Sequence, residues 1–322
     1  MATYSATAEE LLTTKQESQL HVIWRRFLRH KMAVLGLIII LSLILMGAFS
    51  AYLTPYERDE PTADINLSPS GLHWLGTDEL GRDMFTRIAF AARISLTVGF
   101  SVTFLTTLIG MTIGSVSGYF GGWVDNLAMR LVDFMLTIPS LPLLLVMSKI
   151  LSSGGFIIQF PESVLRFFGW VMAVSDTKSI QQVLYIILIL ALLGWTSEAR
   201  LIRGVILSLR EQTFTEASRA LGVSHTRIIT RHMIPNALAP LIVASTLNVG
   251  GVIVVEAALS FLGFGIQPPI PTWGNLLQNA QNDLWLYPWK ALYPGLFIFL
   301  TSLSFNFLGD GLRDALDPRL KI

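Results

Sequence analysis

From Met32 to Leu53 the chain runs through apolar and small residues without a single charge. At 1.5 Å per residue, a helix of that length reaches across a hydrocarbon core of about 30 Å. Five further apolar runs follow: Ile94 to Phe120, Leu131 to Leu151, Val183 to Gly194 with its flanks, Leu238 to Phe264 and Ala291 to Leu308. A backbone in lipid must satisfy its own hydrogen bonds, so these runs are expected as helices. The fold class is therefore all-α, a polytopic membrane protein of about six transmembrane helices. Composition agrees, because only 14% of residues are charged, against about 25% in soluble domains.

The segment Trp24 to Lys31, rich in Arg, precedes the first run and raises a cleavable signal peptide as a rival. The run exceeds an h-region of about 7 to 15 residues, so an uncleaved anchor is preferred. Gly154 to Val174 is aromatic but interrupted by Pro161, Glu162 and Arg166, and reads as an external interfacial excursion. With the amino terminus in the cytoplasm, that side holds fifteen Lys and Arg, among them Lys15, Arg200, Arg231, Arg319 and Lys321, against eight outside. The positive-inside bias then puts both termini in the cytoplasm. The organisation expected is a tail over 1–31, a first span and external segment over 32–92, a core of five spans over 93–309 with a cytoplasmic loop at 200–235, and a tail over 310–322. Trp273, Trp285, Tyr287, Trp289 and Tyr293 gather before the last span, where amphipathic rings favour the headgroup level.

Several chemistries are excluded. The chain has no cysteine, which removes disulfides, thiolate metal sites and cysteine nucleophiles. Gly-x-x-x-x-Gly-Lys-Ser/Thr, His-Glu-x-x-His and Gly-x-Ser-x-Gly are all missing, leaving no phosphate cradle, zinc site or activated serine. No catalytic or metal-binding residue is therefore assigned, and energy must come from another chain. The net charge of +1, with basic residues in short clusters, argues against nucleic acid.

Arg200 to Arg231 is the longest polar stretch on the cytoplasmic side. Thr213-Phe-Thr215-Glu216 has capping-box spacing, Gly222 sits where a left-handed C-cap would end that helix, and Ser224 can cap a second one. Pro235 biases Ile234 away from helical geometry, so a break is expected there. The first helix is too short to span anything. It either docks on a partner or lies on the membrane surface as an interfacial helix without one, with a DNA-binding helix-turn-helix a remote third.

Glu216-Ala217-Ser218-Arg219-Ala220-Leu221-Gly222, then nine residues, then His232-Met-Ile234-Pro235 resembles the coupling-loop pattern of binding-protein-dependent ABC importer permeases: Glu-Ala-Ala, three residues, Gly, nine residues, Ile-x-Leu-Pro. Glu216, Ala217, Gly222 and Pro235 match, while Ser218, His232 and Ile234 depart from it. The blocks His73 to Asp83, Arg93 to Leu96, Glu256 to Gly263, Pro271 to Gly274 and Gly309 to Leu320 are similar to the C-type subunit of the dipeptide and oligopeptide permeases. The resemblance implies a type I importer fold and four kinds of partner: a second permease, two P-loop ATPase subunits, an extracytoplasmic substrate-binding protein and the lipid bilayer. It also implies that the loop inserts a short helix into the ATPase, that ATP and Mg are used by those partners and not bound here, and that the cargo is a dipeptide or oligopeptide. Relatives handle nickel and other small solutes, and the residues do not separate these. An ion-coupled secondary transporter is the rival, but it normally shows an internal repeat and carboxylates near mid-membrane.

Other features carry both a structural and a functional reading. In the external block Gly76, Thr77, Asp78, Gly81, Arg82 and Asp83, Asp78 precedes Arg82 by four and Asp83 precedes Arg87 by four, which is the spacing of a charged helix face. The functional alternative is contact with a binding protein or an outer gate. Gly110, Gly114 and Gly118 repeat every four residues, allowing close helix approach. Asp133 is expected to pair with Arg130. Glu256 lines a pathway or subunit interface, with Asn248 and Pro139 as further candidates, or else bonds to Ser260. Pro139 and Pro142 are expected to break or kink the third span.

Overall fold

The charge-free runs become helices, but their ends and joints differ from what hydropathy marks. The computed structural model describes residues 18–152 and 158–317, so Lys15, Arg319, Lys321 and the start of the aromatic excursion lie outside it. In chain order the helices are α1 (Gln19–Arg29), α2 (Lys31–Ala48), α3 (Ser50–Leu53), α4 (Met84–Phe120), α5 (Gly122–Thr137), α6 (Ser140–Ser152), α7 (Glu162–Met172), α8 (Thr177–Gly194), α9 (Thr196–Arg210), α10 (Thr213–Ala220), α11 (His225–Ile228), α12 (Ile234–Phe261), α13 (Trp273–Asn279) and α14 (Trp289–Leu316). Five helices, α2, α4, α8, α11 continued into α12, and α14, are long and apolar enough to cross a membrane. A sixth crossing is available if the bent pair α5 and α6 counts as one.

That pair meets at 88°, the break expected in the third span, and it falls at Pro139. The residue before a proline is pushed out of helical geometry, and Ile138, before Pro139, has φ −81° and ψ 128°. Pro142 causes no second break, because it falls in the first turn of α6, where its missing N–H is not needed. The pair still runs from one end of the bundle to the other. Gly122 follows the end of α4 directly, and the Ser148 hydroxyl donates to the Phe264 carbonyl beyond α12.

Two boundaries move. Helix α4 starts at Met84, so the division at 92/93 falls inside a helix. Helix α14 continues to Leu316, so residues 310–316 are helix and not tail. Helix α7, about 16 Å long at 11 residues, is too short to cross and packs on α4 and α8. Trp273, expected at the headgroup level, is fully buried, and its indole N–H donates to the Ile88 carbonyl. Trp285 remains exposed.

The Gly110, Gly114, Gly118 stripe sets a close joint between α4 and α9. A Cβ at Gly110 would sit 2.6 Å from the Glu198 Cβ, and one at Gly118 would sit 2.9 Å from the Arg203 carbonyl oxygen. Without a hydrophobic driving force in lipid, such backbone-to-backbone contact is what holds helices together. Contacts between helices fix the polarity of the bundle. The backbone of Gly47, near the end of α2, meets Arg93 near the start of α4. The Arg26 guanidinium, near the end of α1, bonds the Asp317 carbonyl after α14. The first and last described residues therefore lie at the same end as the α9 to α11 loop.

Candidate functional site

At that end, α10 is built as expected in outline and differently in detail. Its N-cap is Gln212 with no side-chain bond, and Thr213 is already helical, so the Thr213 to Glu216 capping box does not form. Thr215 anchors the helix instead. It is fully buried and its hydroxyl donates to the Leu209 carbonyl at 2.8 Å, binding α10 to the last turn of α9. The C-terminus is a Schellman motif, with Val223 N–H donating to Ser218 O at 3.1 Å and Gly222 N–H to Arg219 O at 2.9 Å. Gly222 has φ +72° with open space around its α-carbon, so conformation and not crowding demands glycine there.

Among the described residues the outer face of α10 meets little of the chain, Arg219 alone reaching back over the Tyr119 ring. Glu216, Ala217, Arg219 and Ala220 are exposed, Leu221 is 83% exposed, and the Glu216 carboxylate makes no ion pair with any described residue. Ser218 returns its hydroxyl to the Phe214 carbonyl. Ile234 and Pro235 stand apart from this face. Ser224 occupies the N-cap of α11, again without a side-chain bond, and the chain then passes through a π turn, Ile229–Met233, straight into α12. The break expected before Pro235 is absent. Pro235 can neither donate to the preceding turn nor fit under its carbonyl, and the wider π turn, with Ile234 N–H bonded to Ile229 O, absorbs the defect.

The opposite end holds the block from Gly76 to Asp83, and it is a turn, not a helix face. Thr77 and Asp83 form an isolated bridge, and Gly76 and Gly81 have φ of +78° and +76°. Asp78 is the hub. One oxygen accepts from the Leu80 and Arg82 N–H groups, both at 2.9 Å, and the other from Arg82 Nε at 2.7 Å and Arg87 Nη1 at 2.6 Å. Burial pushes the Asp78 carboxyl up, but the Arg87 charge, the Arg82 N–H and charge, and the Leu80 N–H outweigh it and hold it below the usual carboxylate range. Asp83 does not pair with Arg87. It caps α4 through the Thr86 N–H at 2.8 Å and binds His73 Nδ1 at 2.9 Å. Lys290, almost fully buried at the start of α14, bonds Asp283 at 2.7 Å and lies 3.9 Å from Glu79.

Between the two ends, Glu256 is 1% exposed and takes a hydrogen bond from Ser260 at 2.7 Å, so its own chain encloses it and it faces no open pathway. Asn248 donates to Glu198 Oε1 at 2.6 Å and to Thr106 at 3.2 Å. Pro139 is exposed at the elbow between α5 and α6. Asp133 pairs with Arg200, not Arg130, because α5 runs along α9, where Asp125 likewise pairs with Arg203. The buried Glu198 and the partners of Tyr119 described below were not visible in sequence, since each pair is separated by tens of residues.

A helical bundle of this kind, locked by its own charges at one end and carrying a short exposed amphipathic helix at the other, is that of a multi-pass membrane protein. Residues 110–322 match the model of the binding-protein-dependent transport system inner membrane component, and residues 18–69 match the N-terminal transmembrane domain of oligopeptide transport permease C. The dipeptide transport system permease protein DppC of Alkalihalophilus pseudofirmus is 40% identical over 92% of this chain and 89% of that one. The glutathione transport system permease protein GsiD is 38% identical in Pectobacterium atrosepticum, over 92% of this chain and 90% of that one, and 37% identical in Escherichia coli, over 94% and 91%. The chain belongs to the binding-protein-dependent transport system inner membrane components, as a multi-pass inner-membrane transport subunit of the C type.

Proposed function

We propose that this chain forms, with a second related permease, the membrane pathway of an ATP-driven importer for dipeptides or oligopeptides. An extracytoplasmic substrate-binding protein delivers the cargo to the Gly76 to Asp83 end. Two P-loop ATPase subunits dock at the other end, where Glu216 to Gly222 enter a cleft on one of them and nucleotide-driven closure moves the helices. ATP and Mg are handled by those subunits and no cofactor resides in this one. Both termini then face the cytoplasm, which the Arg-rich composition of the α10 end supports.

The observation that carries the reading is the α10 helix itself. It is based on Thr215, ended by a positive-φ glycine, and bare on a face holding Leu221, Glu216 and Ala217. The exposed stripe Phe214, Ala217 and Leu221 would also suit a lipid surface, but Glu216 beside it and the small Ala217 and Ala220 leave the helix slim enough to enter a cleft. The cargo reading rests on relatives named for dipeptides and glutathione. The test is purification of the subunit in mild detergent, mass spectrometry of what remains bound, and uptake of labelled dipeptides and glutathione by the reconstituted complex. Recovery of a second permease and P-loop ATPases with peptide-dependent hydrolysis supports the reading. Recovery of the chain alone, with uptake driven by an ion gradient, overturns it.

A further inference from the structure

Tyr119, one residue from the end of α4, is 3% exposed and is held by three different parts of the polar loop. The Arg219 guanidinium of α10 lies over its ring, 5.0 Å from the centroid. Its hydroxyl meets Nδ1 of His225, the first residue of α11, at 2.7 Å. Its carbonyl accepts from Nη1 of Arg210, the last residue of α9, at 3.3 Å. Ring face, hydroxyl and backbone thus each take one element, and any displacement of the loop must carry this residue or break these contacts.

What Tyr119 terminates matters as much as what it binds. Helix α4 runs unbroken from Met84 to Phe120 and carries Arg87, the buried partner of Asp78, near its other end. From Arg87 to Tyr119 is about 48 Å of continuous helix at 1.5 Å per residue, and that interval contains no proline. The other long crossing element of the loop, α11 with α12, begins in a π turn that can absorb strain. Helix α4 has no such joint.

The geometry points to Tyr119 as the positioning residue through which a displacement of α10 is passed to α4, and α4 as the rod that carries it to the Asp78 lobe. This deepens the coupling reading above and rests on it. The chain has no cysteine, so a single one at Leu80, which is 54% exposed in that lobe, gives a unique reporter. In the reconstituted complex carrying Leu80→Cys, ATP with vanadate changes the rate of maleimide labelling. Adding Tyr119→Leu abolishes that change and lowers dipeptide uptake per ATP hydrolysed by about fivefold or more, with ATPase subunits still bound. A residue that merely holds the fold would alter yield and melting temperature but not uptake per ATP. The proposal is overturned if Tyr119→Leu keeps the parent's labelling change and uptake per ATP, or if the parent shows no labelling change. Should Tyr119→Leu fail to assemble, Tyr119→Phe removes only the hydroxyl contact, and His225→Ala removes it together with the imidazole's packing on the Tyr119 and Phe120 rings. Each is expected to lower uptake per ATP by about twofold, and an unchanged ratio overturns the proposal. Absence of ATPase subunits from the parent complex instead sinks the coupling reading, independently of any Tyr119 variant.

Discussion

The lobe before α4 and the loop after α9 are both polar segments tethered between apolar helices, yet they treat charge in opposite ways. In the lobe, Asp78 faces Arg82 and Arg87, Asp83 faces His73, and Lys290 faces Asp283, nearly all of them buried. In the loop, Glu216 makes no ion pair with any described residue and Leu221 is exposed. A closed network spends its charges on holding its own shape, while an open one leaves them for a second surface. Stability and coupling should therefore respond to substitution at different ends of the molecule.

The largest effect is expected at the hub of the lobe. Asp78→Ala strands Arg87, which is 1% exposed, and breaking a buried pair from one side costs about 3 to 5 kcal/mol. The subunit should fail to accumulate in membranes, as read by fluorescence-detected gel filtration, whereas Asp78→Leu with Arg87→Met should recover much of the yield. Next come the loop variants. Gly222→Val forces a β-branched residue to positive φ, and Glu216→Lys reverses the charge on the open face. Both should lower uptake by about tenfold while hydrolysis continues, with the melting temperature holding for Glu216→Lys and falling a little for Gly222→Val from backbone strain, and normal uptake in vesicles would contradict the coupling role. Leu221→Ser should leave thermal stability unchanged and weaken ATPase binding by about 1 kcal/mol, roughly fivefold, if the side chain is buried at that contact.

Acid sensitivity sharpens the same contrast. The carboxyl of Asp78 is held below its usual value in the folded protein, so its contribution is complete above the unfolded value of about 3.9 and is lost only as pH falls through the lower folded value. Melting temperature should show no loss from this group between pH 5 and 8, and a loss starting near pH 6 would contradict the hub geometry. Smallest of all is Arg166→Ala, which breaks the exposed Glu162–Arg166 pair on α7 and should shift stability by at most a few tenths of a kcal/mol.

The sequence made some of this legible and hid the rest for physical reasons. Spans showed as charge-free runs because lipid allows nothing else, and the Gly110 stripe showed because helix packing in lipid needs a fixed four-residue period. Gly222 was readable as a C-cap because positive φ selects glycine. The i,i+4 rule misread Asp83 and Arg87, since Gly76 and Gly81 turn the backbone at that point and make Asp83 a helix cap. It also missed the partner of Asp133, Arg200 on α9, which packs alongside α5. Glu256 and Ser260, by contrast, lie on one helix, and the rule found them. Tyr119 looked like an ordinary aromatic at a helix end, because its three partners come from three later elements.

With Leu221→Cys as the sole thiol of the subunit, a short bifunctional crosslinker in the purified complex reports what the α10 face touches. The coupling account requires the product to join this subunit to a P-loop ATPase, and to weaken when Glu216→Lys is added. A complex that retains its ATPases but crosslinks Leu221→Cys only to lipid, or to nothing, would place the docking surface elsewhere and contradict the account.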